Sequence, residues 1–200
     1  MTETSDSIIT FWFGNSSDDA TVAKQQSVLW WAKRDETDAL IRQRFEPSVI
    51  AAGKGELQDW TATPNGRLAL IILLDQFTRN IYRDTPAAFS LDAQARALCL
   101  AGLEAGDDKA LRAIQRVFFY LPLEHSENVE HQRRSVALFS ALTAEASAPE
   151  HALFAGFADY AVKHQVIIDR FGRFPHRNAI LGRPSTPEEV EFLKQPGSSF

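Results

Sequence analysis

The sequence contains a single cysteine, Cys99, so neither a disulfide framework nor a metal site built on several cysteines is expected. Its clearest apolar run, residues 68–74, is about a third of the length that a membrane-spanning helix needs. An excess of positive charge is also missing, because the formal net charge is −5, and general nucleic-acid binding requires a broad basic surface. The first residues lack the basic region of a signal peptide. We therefore expect a cytoplasmic protein without a nucleic-acid or membrane partner.

Hydrophobic residues are abundant in comparison, at 44% of the chain, and 14 phenylalanines and four tryptophans are among them. This content is sufficient for a sizeable core, and a chain of 200 residues is typical of one domain. We predict a single helical domain over residues 1–194. The polar segment 195–200 is predicted to be a frayed tail. The sequence does not indicate an oligomeric state.

Apolar residues recur at helical spacing along most of the chain, and no segment shows sustained alternation with a period of two. The fold class is therefore all-α. Strong helix starts are predicted at Thr63-Pro64 and Thr186-Pro187, and Asp107 is predicted to cap a helix that Pro122 interrupts. Short connections favour antiparallel hairpins stacked side by side as a superhelix or bundle. The predicted hairpins pair residues 90–105 with 108–121 and residues 127–146 with 150–171.

The apolar run 68–74 leads directly into a polar cluster. A helix that is apolar all round is normally buried, so this cluster should emerge from the interior, where a charge needs a partner. At helical spacing, Asp75, Arg79 and Arg83 are predicted to share one face. Two interpretations stay open: an internal Asp75–Arg79 ion pair that ties helices together, or a ligand site. The candidate residues are Asp75, Gln76, Arg79, Asn80 and Arg83.

A second cluster crowds a predicted helix junction and contains Glu124, His125 and Glu127. The two carboxylates could raise the pKa of His125 and keep the imidazole protonated. In the simpler alternative, Ser126 caps the next helix and Glu127 interacts favourably with its positive end. That alternative leaves His125 without a role.

His164 lies on an apolar helical stripe. It is interpreted either as a hydrogen-bonded core residue or as a member of the site. Residues 170–183 contain four arginines and one histidine but no acid, which indicates either a counter-charge for internal carboxylates or an anion site. The candidate residues in this segment are Arg173, His176, Arg177 and Asn178.

The first and last clusters also resemble each other, because Arg79-Asn80 and Arg177-Asn178 have similar flanking residues. Two Arg-Asn pairs on separate elements could clasp one anionic group, with the arginine as a planar fork and the asparagine as donor and acceptor. This comparison predicts that the two segments meet.

Several motifs that carry known chemistry are missing from the sequence. There is no His-Glu-x-x-His, no Gly-x-Ser-x-Gly and no dinucleotide fingerprint. Gly53-Lys54-Gly55 lacks the spacing of a phosphate-binding loop. No cofactor and no metal site is predicted, and the motifs leave open whether the protein is an enzyme.

Four blocks nevertheless resemble one bacterial family, the domain of unknown function 924. They are Phe-Trp-Phe-Gly (11–14), Leu-Leu-Asp-Gln-Phe-x-Arg-Asn-Ile-Tyr-Arg (73–83), Tyr-Leu-Pro-Leu-Glu-His-Ser-Glu (120–127) and Arg-Phe-Gly-Arg-Phe-Pro-His-Arg-Asn-x-x-Leu-Gly-Arg (170–183). The resemblance covers nearly the whole chain and implies a helical fold similar to tetratricopeptide superhelices. It implies no activity and no catalytic roles. Thr78 stands where the family usually has proline, so the helix is expected to continue further here.

Three functions are compatible with these patterns. The favoured hypothesis is a binding module whose Arg/Asn/His-lined site holds an anionic small molecule or peptide. The alternatives are a small hydrolase or transferase acting on an anionic substrate, and a polar network that only stabilises the fold. An open cleft supports the first two, whereas complete internal pairing of the arginines supports the third.

Overall fold

The computed structural model describes residues 3–199, and this part of the chain contains helices and no strand. The predicted all-α class is therefore confirmed for these residues. The α-helices are α1 (Ser5–Phe13), α2 (Asp19–Trp31), α3 (Asp35–Gly53), α4 (Pro64–Ile71), α5 (Thr78–Ile81), α6 (Asp92–Ala105), α7 (Ala113–Glu124), α8 (Val129–Glu145), α9 (His151–Phe171) and α10 (Pro187–Phe192). A π-helical segment, Ile72–Phe77, joins α4 to α5, and 3₁₀ turns lie at Gln58–Ala62, Pro86–Phe89, Asp107–Ala110 and Pro175–Arg177. Within the predicted tail, Phe200 lies outside the described residues.

The strongest helix starts are those with a capping residue followed by proline. Thr63 accepts a hydrogen bond from the Gly66 amide with Pro64 in the first helical position, and Thr186 forms a capping box with Glu189. In both cases the side-chain oxygen satisfies an amide that has no partner inside the helix. These two predicted starts are confirmed.

Three local predictions were wrong. Asn128, not Ser126, caps α8, because its side-chain oxygen accepts hydrogen bonds from the Glu130 and His131 amides. Pro122 lies inside α7, which continues for only two more residues, to Glu124, before the His125 amide closes the helix on the Leu121 carbonyl. Asp107 does not cap α7 either, since it begins a 3₁₀ turn and pairs with Arg67 at 2.6 Å.

The apolar run 68–74 lies at the centre of the molecule, and each of its residues is at most 2% exposed. α4 and the π-helical segment pack against α1, α3, α6 and α7, so this stretch has protein on every side. Its burial follows from the lack of any polar residue over seven positions. The polar residues that follow it are therefore held at the core boundary.

Two helical glycines offer a matched test of this packing. A Cβ at Gly102 in α6 would lie 2.5 Å from Phe119 Cζ and 2.6 Å from Arg67 Cδ, whereas a Cβ at Gly156 in α9 would meet nothing within 4 Å. Gly102→Ala is expected to destabilise the protein by about 1–3 kcal/mol through overpacking. Gly156→Ala is expected to stabilise it by about 0.5–1 kcal/mol through helix propensity. Urea unfolding followed by circular dichroism checks both values, and equal effects would contradict the packing around Gly102.

The helices after the central stretch pack consecutively along the chain: α6 on α7, α7 on α8 and α8 on α9. None of the helices within residues 3–199 has both the length and the apolar character needed to span a membrane.

Candidate functional site

The π-helical segment positions the buried carboxylate at the centre of the site. Asp75 belongs to this segment and is 1% exposed. π-helical turns place an additional residue in the helix and often occur at functional sites. The Thr78 hydroxyl donates to the Leu74 and Asp75 carbonyls at 2.9 and 3.2 Å, so Thr78 supports the passage into α5.

Asp75 is surrounded by donors. Gln76 Nε2 donates to Asp75 Oδ2 at 2.6 Å, while Arg79 Nη1 and His125 Nδ1 approach Oδ1 at 3.2 and 2.8 Å. Burial alone would raise the pKa of the Asp75 carboxyl, but the charge of Arg79 and the contact with His125 outweigh it and hold the pKa below its usual range. Asp75 is therefore ionised, and one alternative from the sequence, an internal Asp75–Arg79 pair, describes what is found.

The carboxylate that contacts His125 is Asp75, and neither Glu124 nor Glu127 does so. Burial lowers the pKa of the His125 imidazole more than Asp75 raises it. The expectation that Glu124 and Glu127 raise the pKa of His125 was therefore wrong. Glu124 lies beside His164, and Glu127 binds Arg183. An ionised carboxylate only accepts hydrogen bonds, so the proton of neutral His125 is assigned to Nδ1 and the lone pair to Nε2.

Two arginines approach a carboxylate that the sequence analysis missed, Asp92. Arg79 donates to both Asp92 oxygens, at 2.9 and 3.1 Å. Arg177 Nη1 lies 3.7 Å from the same carboxylate, beyond hydrogen-bonding distance, and donates to the His125 carbonyl at 3.0 Å. The only local sign of Asp92 is an acidic residue at the first position of α6, which is common at helix starts and does not identify its partners.

The Arg177 guanidinium is the least compensated charge of this group. Its carbon lies 4.4 Å from the centre of the Phe174 ring and 4.8 Å from that of Phe89, and only 8% of the side chain is exposed. Its Nε is buried without a hydrogen-bond partner. Burial, followed by repulsion from Arg79, lowers the pKa of Arg177 to about 10. The group stays charged at neutral pH but lacks a full set of acceptors.

His125 and Arg177 meet at an open cleft of about 440 Å³, here called the Arg177 cleft. Its polar and aromatic lining includes Phe89, Asp92, Arg96, His125, Glu127 and Arg177. Arg96 forms no hydrogen bond or ion pair with residues 3–199, whereas Arg79 engages Asp92 and Arg183 engages Glu127. The two acids of the wall are thus paired, and two cations are not fully paired.

Two residues of the first cluster lie elsewhere. Asn80 and Arg83 both bind Asp38, and the shortest contacts are 2.8 and 2.5 Å. These three residues line a second cleft of about 310 Å³. The predicted common face with Asp75 was wrong for Arg83, because α5 ends at Ile81 and the backbone then leaves the helical conformation.

The predicted clasp by two Arg-Asn pairs is also not formed. Asn178 donates to Ser185 and to Glu189 of α10, at 3.0 and 3.3 Å. Asn80 instead donates to Asp38, so the two asparagines do not share a partner. Arg173 binds Glu189 with two hydrogen bonds, and chiefly this contact lowers the pKa of Glu189 to about 2. Asn178 and Arg173 therefore anchor α10, and only the arginines of the two pairs share a carboxylate.

The two remaining histidines are more enclosed. His164 Nδ1 donates to the Tyr160 carbonyl at 2.8 Å and lies 3.1 Å from Glu124 Oε1, with both side chains 5% exposed. Burial, aided by His125, lowers the pKa of His164 to about 3, and burial with Arg177 lowers that of His176 to about 4. For His164, the alternative of a hydrogen-bonded core residue describes the geometry.

Glu124 provides a pH-dependent test of this buried pair. Burial, and then the charge of Asp75, raises the pKa of Glu124 to about 8 from a usual value of 4.5. The folded state therefore binds this proton more tightly, and its contribution to stability is complete below pH 4.5 and is lost as the pH rises towards 8. The stability of the wild type minus that of Glu124→Gln should fall by on the order of 1 kcal/mol per pH unit in this window. Urea titrations from pH 5 to 9 measure this stability difference. A difference that does not change with pH would contradict the raised pKa of Glu124.

The comparisons with known proteins agree with this fold. The family model described as a bacterial protein of unknown function, DUF924, matches residues 8–197. The chain belongs to the DUF924 family. A solved structure, of the protein of unknown function ATU0120 from Agrobacterium tumefaciens, is similar with a TM-score of 0.80 and 34% identity, over 95% of this chain and 96% of that chain. No curated protein matches significantly. The DUF924 resemblance of the four sequence blocks is thereby confirmed, and the function has to be argued from the site.

Proposed function

We propose that this DUF924 protein is a binding module whose Arg177 cleft holds an anionic group of a small molecule or peptide. The observation that carries the proposal is the incomplete neutralisation of Arg177. Its closest carboxylate, Asp92, is 3.7 Å away and already accepts two hydrogen bonds from Arg79. A buried charge without full pairing is costly, so an anion at this position would be stabilised.

The second cation of the cleft supports the same conclusion. Arg96 lines the cleft and has no ion pair within residues 3–199, while the neighbouring acids are paired with other arginines. Carboxylates and phosphates match the planar fork of an arginine, and charge-assisted hydrogen bonds are among the stronger ones in proteins. The formal net charge of −5 favours a small or peptide ligand over a nucleic acid.

Five of the other candidate residues take supporting positions in this proposal. Asp75, Gln76 and Arg79 hold His125 and the cleft wall, and Glu124 and His164 lie behind them. The tetratricopeptide-like superhelix expected from the resemblance is also part of the proposal. The consecutive packing of α6 to α9 supports it.

Isothermal titration calorimetry with inorganic phosphate and with benzoate tests the binding directly. Arg177→Gln should weaken binding about 10- to 100-fold, because a hydrogen bond to a charged group contributes about 1.5–3 kcal/mol. Arg96→Gln should act in the same direction, and it keeps the test valid if the buried substitution impairs folding. Arg133→Gln is the matched control, because Arg133 is 60% exposed and pairs with Glu130 on α8.

The purely structural alternative predicts a different pattern. Neither anion would bind to the wild type, and the Arg177 variant would differ from it only in stability. Binding that is unaffected in both cleft variants would also exclude the Arg177 cleft as the anion site.

A further inference from the structure

We propose that His125 is a general base in the Arg177 cleft, where it activates water to hydrolyse an ester whose other end carries a carboxylate. The proposal rests on the proposed function, because Arg177 and Arg96 position the substrate by its charge. It assigns a reaction to the site in addition to binding.

The geometry of Asp75 and His125 carries this inference. The Asp75 carboxylate lies 2.8 Å from His125 Nδ1 and is itself fixed by Gln76 and Arg79. Because the carboxylate can only accept, it holds the ring in the tautomer that leaves Nε2 unprotonated. A buried aspartate that orients a histidine in this way recurs in general-base catalysis of acyl transfer.

The second ring nitrogen of His125 is available to a substrate. Nε2 forms no hydrogen bond with any residue in the range 3–199, and the side chain is 15% exposed at the wall of the cleft. His164 is more enclosed, at 5% exposed, and its Nδ1 donates to the Tyr160 carbonyl. The exposed fraction therefore distinguishes His125 from His164.

Burial and two neighbouring arginines keep His125 neutral at pH 7, as a base must be. It is faced by Asp75 of the π-helical segment, Arg79 of α5, Arg177 of the last 3₁₀ turn and His164 of α9, whose ring centre is 6.2 Å away. Burial lowers the pKa of His125 most, the two arginines add to this effect, and Asp75 opposes it. The lone pair of Nε2 is then available at neutral pH.

The proposed reaction is direct hydrolysis of the ester by water. A water molecule transfers a proton to His125 Nε2 while its oxygen bonds to the ester carbonyl carbon. The tetrahedral intermediate then breaks its bond to the alcohol oxygen, which receives the same proton from His125. The products are an acid and an alcohol, and no oxidant or reductant is consumed.

Two probes test the step. In 4-acetoxybenzoate the ester is para to a carboxylate that cannot reach it, and methyl 4-acetoxybenzoate is the matched neutral probe. The wild type should hydrolyse the anionic probe faster than buffer does and faster than the neutral probe. His125→Gln should lower kcat at least about 100-fold with little change in KM, because general bases contribute about 10²–10⁴. Arg96→Gln should mainly raise KM.

A second measurement does not depend on turnover. Diethyl pyrocarbonate should modify His125, as located by peptide mass spectrometry, and saturating benzoate should slow this modification. Unmodified His125 in the folded protein would overturn the availability of Nε2.

The kinetic outcomes separate this inference from the proposed function. Hydrolysis no faster than in buffer, or equal in His125→Gln, would overturn the general-base role, while calorimetric binding of benzoate would leave the binding module intact. An acetyl group trapped on Ser90 or Ser126, the two serines that line the cleft, would also overturn direct attack by water. Absence of anion binding together with absence of hydrolysis would overturn both.

Discussion

Replacing Asp75 with alanine is expected to lower the free energy of unfolding by about 3–5 kcal/mol at pH 7, the range for removing one partner of a buried ion pair. The variant leaves Arg79 and His125 without their shared acceptor, and it also removes a negative charge that stabilises Arg177. Urea unfolding followed by circular dichroism measures the loss.

The control for Asp75→Ala is Glu191→Ala, which removes an exposed ion pair with Lys194 and should change stability by less than about 0.5 kcal/mol. The pKa of Asp75 is depressed in the folded state, so its contribution is present above the unfolded pKa of 3.8 and is lost as the pH falls further. The difference in the free energy of unfolding between the wild type and Asp75→Ala should therefore become smaller in acid. A loss below about 1 kcal/mol at pH 7 would show that the pair is not an essential part of the core boundary.

Replacing Phe118 with alanine is expected to cost about 3–5 kcal/mol, the usual range for truncating a fully buried phenylalanine. The Phe118 ring contacts Trp12 edge-on at 5.5 Å, Trp30 at 4.6 Å and Trp31 in a stacked arrangement at 5.7 Å between ring centres. One side chain of α7 thus joins α1 and α2 to the core, and its loss leaves a cavity between three helices.

Phe118→Leu serves as the control, because it keeps most of the buried volume and should cost about 1–2 kcal/mol. Since three tryptophans contact the ring, their fluorescence provides a second, local readout of unfolding. Equal stability of the Ala and Leu variants would mean that this aromatic contact does not hold α1 and α2 in place.

Sequence patterns were sufficient where the determinant is local. A run of seven apolar residues predicts burial of α4 regardless of its partners, and Thr63-Pro64 defines its start through a capping bond only three residues long. The spacing of Asp75 and Arg79 likewise predicted their contact, since residues four apart lie together in a helix.

Long-range partners were not accessible in this way. His125 is 50 residues from Asp75, and Arg83 is 45 residues from Asp38, so no spacing rule relates them. The sequence neighbours of His125 instead indicated a protonated imidazole, because proximity along the chain was taken for proximity in space. Asp92 was missed for the same reason. Its carboxylate lies between Arg79 and Arg177, the arginines of the two Arg-Asn segments that resemble each other in the sequence.

Competition between similar local signals explains the errors at the α7–α8 junction. Ser126 and Asn128 are both good capping residues, but only the Asn128 side chain accepts hydrogen bonds from amides in the first turn of α8. The Ser126 hydroxyl instead lies 2.9 Å from His131 Nδ1 and accepts the Asn128 amide at 3.3 Å.

The most direct test of the anion site is an anomalous difference map from crystals soaked in sodium selenate, a heavier tetrahedral oxyanion. We expect a selenium peak in the Arg177 cleft, with its oxygens within hydrogen-bonding distance of the Arg177 guanidinium and next to Arg96. The peak should be absent in crystals of Arg177→Gln soaked in the same way. Selenate bound only at other surfaces of the wild type, with none in the cleft, would contradict the assignment of the anion site.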